Sequence, residues 1–157
     1  MEFSFNKKSV KAIQEWLDNN GFCVNCEIDN KILAYAPDSN TILLPRRYDD
    51  MPDTLFMRWL RGLGLTADFD TVTLSVLHEL GHAQTLGMFT NRESENCDIQ
   101  KAILAMTIDE DSDDFQFEYW KVKDEAAANT WAVMYTNLFP QKVQNLEDII
   151  EQYVKIG

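Results

Sequence analysis

The sequence predicts an α+β domain in which a helix opens the chain, a small sheet follows and helices make up the remainder. Three observations predict it. Apolar residues recur at helical spacing from Asn6 to Asn20 and over most of the chain beyond residue 53. Between those stretches, residues 22–44 form three short β-like runs separated by turn residues. The 157 residues carry no internal repeat, flexible linker or Ser/Gly-rich tract, so one domain over 1–157 around one core is expected.

In the first helix Val10, Ile13 and Leu17 share a face with Trp16 beside them, and Gly21 follows as the closing residue. The runs FCVNCEI, KILAYA and TILL come next, separated by Asp29-Asn30 and by Pro-Asp-Ser-Asn at 37–40. Their order suggests a meander of three strands, with Pro45 stopping the third and Arg46, Arg47 and Tyr48 in a solvated turn. After Met51-Pro52, the stretch DTLFMRWLRGLG carries Leu55, Phe56, Trp59, Leu60 and Leu63 at helical spacing and reads as a helix or a wide loop. A helix capped by Asp70 or Thr71 then runs to Gly87, and another covers Glu93 to Met106. Asp109 to Asp114, DEDSDD, is an exposed acidic loop. It lacks the glycine and the closing glutamate of a helix-loop-helix calcium site. A long helix is expected from Phe115 to Leu138, with FQFEY as an extended lead-in, and Pro140 closes it. The tail from Asn145, with Asn145 and Asp148 in a capping arrangement, is the last helix.

The charge balance is 14 basic against 26 acidic residues, net -12. That argues against direct nucleic-acid binding and against an anionic membrane surface, and it suits a basic partner or substrate. No apolar run approaches the roughly 20 residues of a membrane span, and MEFSFNKKSV lacks a signal-peptide core, so a soluble, cytoplasmic protein is expected. Three cysteines, Cys23, Cys26 and Cys97, point to a reducing compartment rather than a disulfide scaffold.

The two histidines of the chain both fall in His78-Glu79-Leu80-Gly81-His82, an H-E-x-x-H sequence on the helix that starts near residue 71. Positions 78 and 82 are one turn apart, so both imidazoles leave one face and can bind a single Zn²⁺. Glu79 lies beside them, able to take a proton from a water whose pKa zinc lowers to about 7 and to deliver it to a leaving amine. Ser75, His78, Glu79, His82 and Thr85 make one polar stripe, opposite Val76, Leu80 and Ala83, which places one side on a cleft and the other on the core.

A catalytic zinc needs three protein ligands and an open position, and with no third histidine an acidic residue must supply the last ligand. Glu93, Glu95, Asp98, the acidic loop, Glu118, Asp124 and Glu125 are the candidates downstream. Glu125 stands out by position. Ala127, Trp131, Met134 and Leu138 read as the apolar stripe of its helix, leaving Glu125, Asn129 and Ala132 on the other face. Asn129, one turn later, can hydrogen-bond a ligand imidazole and fix its tautomer. Ala126, Ala127, Ala128 and Ala132 would let that helix approach the metal helix closely.

Here the sequence resembles the gluzincin-type metallopeptidases of the ImmA/IrrE class, often found with phage and mobile-element genes. HELGH at 78–82 carries the likeness together with E-x-x-A-N-x-(aromatic)-A, here Glu125-Ala-Ala-Ala128-Asn129-Thr-Trp131-Ala132, followed by Leu138-Phe139-Pro140. The resemblance implies a zincin-like domain, a three-stranded sheet packed on the metal-bearing helix and on a second helix carrying the third ligand. It implies His78, His82 and Glu125 as zinc ligands and Glu79 as general base. It also implies a protein substrate, such as a transcriptional repressor or another regulatory protein. The stretch between His82 and Glu125 is longer than the family's usual spacing, and no helix-turn-helix segment is present.

Weaker signals remain. Cys23-Val-Asn-Cys26 has metal-knuckle spacing but no second pair, so ordinary strand cysteines on opposite faces are expected. Tyr35, Tyr48, Tyr119, Tyr135, Arg46, Arg47 and Arg92 are all open as oxyanion stabilisers. TILL at 41–44 is a candidate for the sheet edge along which a peptide lies, and equally for an inner strand. The acidic loop would select a basic substrate or block entry if it overhangs the cleft, and is otherwise a solvated loop. The activity expected is that of a zinc endopeptidase. The alternative is a catalytically silent zincin-like binding or structural protein of a phage or toxin system, and the retained Glu79 favours the enzyme.

Overall fold

In the computed structural model, residues 2–49 and 54–154 are described. They form an α+β arrangement of seven helices and two small sheets. Strand β1 (Glu2–Phe3) leads into helix α1 (Lys7–Asn19), followed by β2 (Asn25–Asp29), β3 (Ala34–Ala36), β4 (Thr41–Pro45) and β5 (Tyr48–Asp49). Six helices complete the chain: α2 (Thr54–Gly62), α3 (Thr71–Thr85), α4 (Asn91–Thr107), α5 (Asp113–Lys121), α6 (Lys123–Leu138) and α7 (Pro140–Tyr153). Met51, Pro52 and Asp53, which the sequence places at the entry to α2, lie outside the described residues. No helix among the described residues is long and apolar enough to cross a membrane.

Helix α1 starts at a reciprocal cap, the Asn6 side chain accepting from the Ser9 amide at 2.9 Å and the Ser9 hydroxyl accepting from the Asn6 amide at 2.8 Å. Ile13 and Leu17 are fully buried, and the Trp16 indole donates to the Lys142 carbonyl at 2.9 Å, tying α1 to α7. Gly21, at φ 79°, closes the helix as its position predicts.

The three central strands do not form a meander. Their order is β2-β4-β3, with β4 parallel to β2 and antiparallel to β3. Burial explains the exchange. β4 is the most buried of the three, with Thr41, Ile42, Leu44 and Pro45 all buried, and the centre of the sheet is the place that hides such a strand. Asn40 holds both neighbours: at φ 50° it turns β3 back into β4, accepts from the Tyr35 hydroxyl at 2.6 Å, and donates to the Cys23 carbonyl at 2.7 Å ahead of β2. The expected solvated turn after Pro45 includes a further strand, β5, paired antiparallel with β1. Buried Phe3 and Phe5 anchor that edge.

Two helix boundaries also differ from the sequence expectation. The stretch from Phe115 to Leu138 is not one helix with an extended lead-in. FQFEY is helical within α5, and the break comes at buried Val122, whose φ of -61° and ψ of 135° end α5 and start α6. The last helix starts at Pro140, not at Asn145, because proline without an amide hydrogen fits the first helical position. Asn145 is therefore an interior residue, accepting from Gln141 at 3.2 Å.

Helix α3 lies at the centre. Val72, Leu74, Val76, Leu77 and Leu80 are buried around its circumference, so the expected division into one cleft side and one core side holds only for its last turns. Its N-terminus is satisfied by a distant residue. Glu147 of α7 accepts from the Asp70 amide at 3.1 Å and from the Thr73 hydroxyl. The stripe expected for α6 holds only in part: Trp131 packs on the core, but Met134 is 51% and Leu138 64% exposed, whereas the face with Glu125, Ala128, Asn129, Ala132 and Thr136 is buried. Small residues determine this. A Cβ built on Gly81 of α3 would lie 2.5 Å from the Ala128 carbonyl oxygen, so the two backbones approach where only glycine and alanine permit it.

The cysteines are all free. Cys23 precedes β2 and is exposed, while Cys26 is buried with its sulfur 3.4 Å from the Val10 carbonyl, and burial pushes its thiol up to about 12.

Candidate metal centre

The close α3–α6 packing brings His78, Glu79 and His82 of α3 to Glu125 and Asn129 of α6. His78 is 8% exposed and Glu125 4%. The His78 Nε2 lies 3.1 Å from Glu125 Oε1, and the His82 Nε2 lies 2.8 Å from Glu125 Oε2. Both imidazoles thus aim the same nitrogen at one carboxylate. His78 Nδ1 is 2.6 Å from Asn129 Oδ1; a carboxamide oxygen only accepts, so Nδ1 donates and Nε2 is left for the cluster. Glu79 Oε1 is 3.8 Å from His78 Nε2.

These donors fit a metal ion. His78, Glu79 and His82 offer donor atoms within 4.8 Å of one another, as do His82, Asp124 and Glu125. Two imidazoles and a carboxylate, buried and oriented through a hydrogen-bonded asparagine, are the donor chemistry of a divalent transition metal. Asn129→Ala is expected to weaken zinc binding about 10–100-fold, measured by competition with a chromogenic chelator. Unchanged affinity would remove Asn129 from the role of orienting His78.

The electrostatics of the cluster are tightly coupled. Burial alone would lower the His78 pKa, but the hydrogen bond to Glu125 and the charges of Glu79 and Glu125 outweigh it and raise the value to about 9. Burial would raise Glu125, yet its bonds to His78 and His82 hold it well below the usual carboxylate range. Burial pushes Glu79 up, against the lowering effect of the two histidines. A sign follows for the chelator-treated protein. The stability contributed by His78 is complete below its unfolded pKa of about 6.5 and is lost as pH rises through about 9. That from Glu125 is present above the ordinary carboxylate pKa and is lost in acid. Melting temperature in chelator is therefore expected to fall between pH 6.5 and 9, and saturating zinc, which binds neutral imidazole, to flatten or reverse the trend. A chelated protein that melted progressively higher over that range would contradict the His78–Glu125 coupling.

The sequence did not single out Lys101. It reaches in from α4, its Nζ 2.9 Å from Glu125 Oε2, 2.8 Å from Asp124 Oδ2 and 5.3 Å from the Tyr119 ring centre. One signal was available, since Lys101 falls one turn after Cys97, the buried residue of α4. The other acidic candidates are elsewhere or otherwise engaged. Glu93 caps α4, Glu118 pairs with Lys121 at 2.9 Å, and Asp98 lines a cavity beside the cluster.

Of the residues open as oxyanion stabilisers, Tyr119 is placed at the cluster, with burial and Glu125 pushing its hydroxyl up to about 12. Tyr35 is nearby but donates to Asn40, Tyr135 stacks on Trp131 at 4.9 Å, and Arg46 donates to Asn30 at 3.3 Å. Arg47 and Arg92 are exposed, and the Tyr48 side chain lies outside the described set.

Two cavities flank the cluster and share Leu33, Glu79, Tyr119 and Glu125. The smaller, about 320 Å³, is bordered by His82, Lys101 and the start of β3, with Ala34 and Tyr35 in its lining. The larger, about 560 Å³, contains His78 and is bordered by Phe56, Trp120 and the segment from Glu110 to Asp113. Residues 110–113 of the acidic stretch therefore border the cleft. β4 is an inner strand, and the edge strand beside the cluster is β3.

Comparison with family models, curated proteins and solved structures gave no match for this chain.

Proposed function

We propose that this protein is a zinc-dependent endopeptidase of the gluzincin type, with His78, His82 and Glu125 as the metal ligands and Glu79 as the general base. The observation that carries the reading is the convergence of both Nε2 atoms on the Glu125 carboxylate with Glu79 alongside. A zinc ion held there would supply the Lewis acidity that polarises a carbonyl and lowers the pKa of water to about 7. Glu79 takes the proton of the attacking water and passes it to the leaving amine, and its burial, which raises its pKa, suits a group that must both accept and release a proton. Asn129 fixes the His78 tautomer, and Lys101 holds the Glu125 oxygen that also faces His82. Tyr119 lines both cavities, which supports it as the donor to a developing oxyanion. The edge of β3 offers backbone groups for aligning an extended chain, which favours a protein substrate.

The test is a complex peptide mixture incubated with zinc-loaded protein, with new termini read by mass spectrometry. Cleavage is expected, abolished by chelator and restored by zinc. Glu79→Gln should retain zinc and lose about 10²–10⁴-fold in rate. Stoichiometric zinc with no new termini, or full activity in Glu79→Gln, would overturn the reading in favour of a zinc-binding protein without this chemistry.

A further inference from the structure

Two adjacent carboxylates reach the cluster, although a catalytic zinc takes one third ligand and keeps an open position. Asp124 and Glu125 are neighbours in the first turn of α6, where successive side chains leave the axis about 100° apart. Both nevertheless offer donor atoms within 4.8 Å of each other and of a His82 nitrogen. Proximity to the histidines does not choose between them.

Lys101 does. Its Nζ is 2.8 Å from Asp124 Oδ2, and Asp124 Oδ1 accepts from the Glu125 amide at 2.8 Å, so both Asp124 oxygens are engaged. Glu125 shares Oε2 between Lys101 at 2.9 Å and His82 at 2.8 Å, and turns Oε1 to His78 at 3.1 Å. One carboxylate therefore faces the ammonium and its own backbone, while the other faces both imidazoles.

The ammonium is fixed from several sides. Lys101 projects from α4 one turn after buried Cys97, its side chain is 20% exposed, and its Nζ lies 5.3 Å from the centre of the Tyr119 ring. A lysine this covered is retained where carboxylates pair with it, and here two of them do. A divalent ion approaching Asp124 would have to displace a positive charge already in contact with the oxygen it needs.

We propose that Lys101 selects the metal ligand: by holding Asp124 it keeps that carboxylate off the metal and leaves the third-ligand role to Glu125, an inference that rests on the endopeptidase reading above. The same hold preserves the open position that a second carboxylate would fill.

The test is made where Glu125 has been removed, so that a replacement ligand shows. Zinc affinity is read by competition with a chromogenic chelator in Glu125→Ala, Glu125→Ala/Lys101→Met and Glu125→Ala/Lys101→Met/Asp124→Asn, with circular dichroism reporting the fold of each. Methionine keeps an unbranched stem and removes the charge. Its introduction should tighten zinc binding at least about tenfold by releasing Asp124 as a ligand, and Asp124→Asn should erase the gain. Arginine at position 101, which pairs with carboxylates as lysine does, should produce no gain. Loss of a merely structural ion pair does not raise zinc affinity. Asp124→Asn in the otherwise unchanged protein retains an oxygen for the Glu125 amide and should cost less than about tenfold, far less than Glu125→Ala, which keeps the question decidable if the double variant folds poorly. Three results overturn the proposal: no gain in a folded Glu125→Ala/Lys101→Met protein, a gain that persists without Asp124, or a loss in Asp124→Asn as large as that in Glu125→Ala. The parent protein is run in parallel on the peptide mixture. The gain, with no peptide cut by the zinc-loaded parent, keeps the selector and removes the peptidase reading; cleavage with no gain does the reverse. A parent that takes up no zinc overturns both.

Discussion

Glu125→Ala and His82→Ala proteins, loaded with zinc and desalted, are each expected to retain less than about one tenth of an ion per chain where the parent retains about one. The expectation follows from how few donors the cluster has. Losing Glu125 leaves two imidazoles, and it also removes the group on which both Nε2 atoms and the Lys101 ammonium converge. The three groups would then lose the anion they share, with Asp124 left beside Lys101 and Glu79 beside His78. The loss should exceed the roughly 10–100-fold that follows removal of an outer hydrogen-bond partner such as Asn129. Elemental mass spectrometry of the desalted proteins reads the result. Full zinc retention in Glu125→Ala would move the third ligand to Asp124, which shares a donor group with His82 and Glu125.

The second large effect is one of packing. Gly81→Val is expected to lower the melting temperature by at least about 6–12 °C, corresponding to about 3 kcal/mol or more in a chain of this size. The first carbon of the new side chain alone would sit 2.5 Å from the Ala128 carbonyl oxygen and 3.0 Å from its Cα, both backbone atoms that cannot swing aside. Helix α6 must then retreat from α3, carrying Glu125 and Asn129 away from the histidines, so zinc affinity should fall along with stability. Gly87→Ala is the control, because nothing lies within 4 Å of a Cβ placed there. If Gly81→Val melted like Gly87→Ala, the close approach of the two helices would be wrong.

Much of the site was legible because its spacing is local. His78 and His82 are one turn apart, as are Glu125 and Asn129, and helical periodicity alone puts each pair on one face. Sequence also turned Glu125 and Asn129 toward the metal helix; what it could not supply was how much of the opposite face is buried. In α6, Met134 and Leu138 look like a core stripe by hydropathy, but close packing on Gly81 selected the face with Ala128 and Ala132 instead. The acidic segment was left between a solvated loop and one beside the cleft because nothing local records that Glu110 and Asp113 line the same cavity as His78. Lys101 was passed over because a lysine is ordinarily a surface residue, and its burial depends on Asp124 and Glu125, more than twenty positions away. The strand runs were legible as strands, whereas their order was not: β4 takes the centre through pairings with both neighbours at once. The break at Val122 uses neither glycine nor proline, the residues by which such breaks are usually read.

The placement of Asn40 bears on the order in which the sheet can assemble. Parallel pairing of β2 with β4 closes a loop that contains β3, so it costs more chain entropy than the neighbouring antiparallel turn. A short hairpin forms within microseconds, and once β3 and β4 have turned on each other, the Asn40 side chain already presents its amide to the Cys23 carbonyl. The same residue that bends the hairpin therefore also holds the strand of the non-local pairing. The edge of the sheet that borders the candidate metal cluster thus rests on the most local pairing in that sheet, β3 with β4.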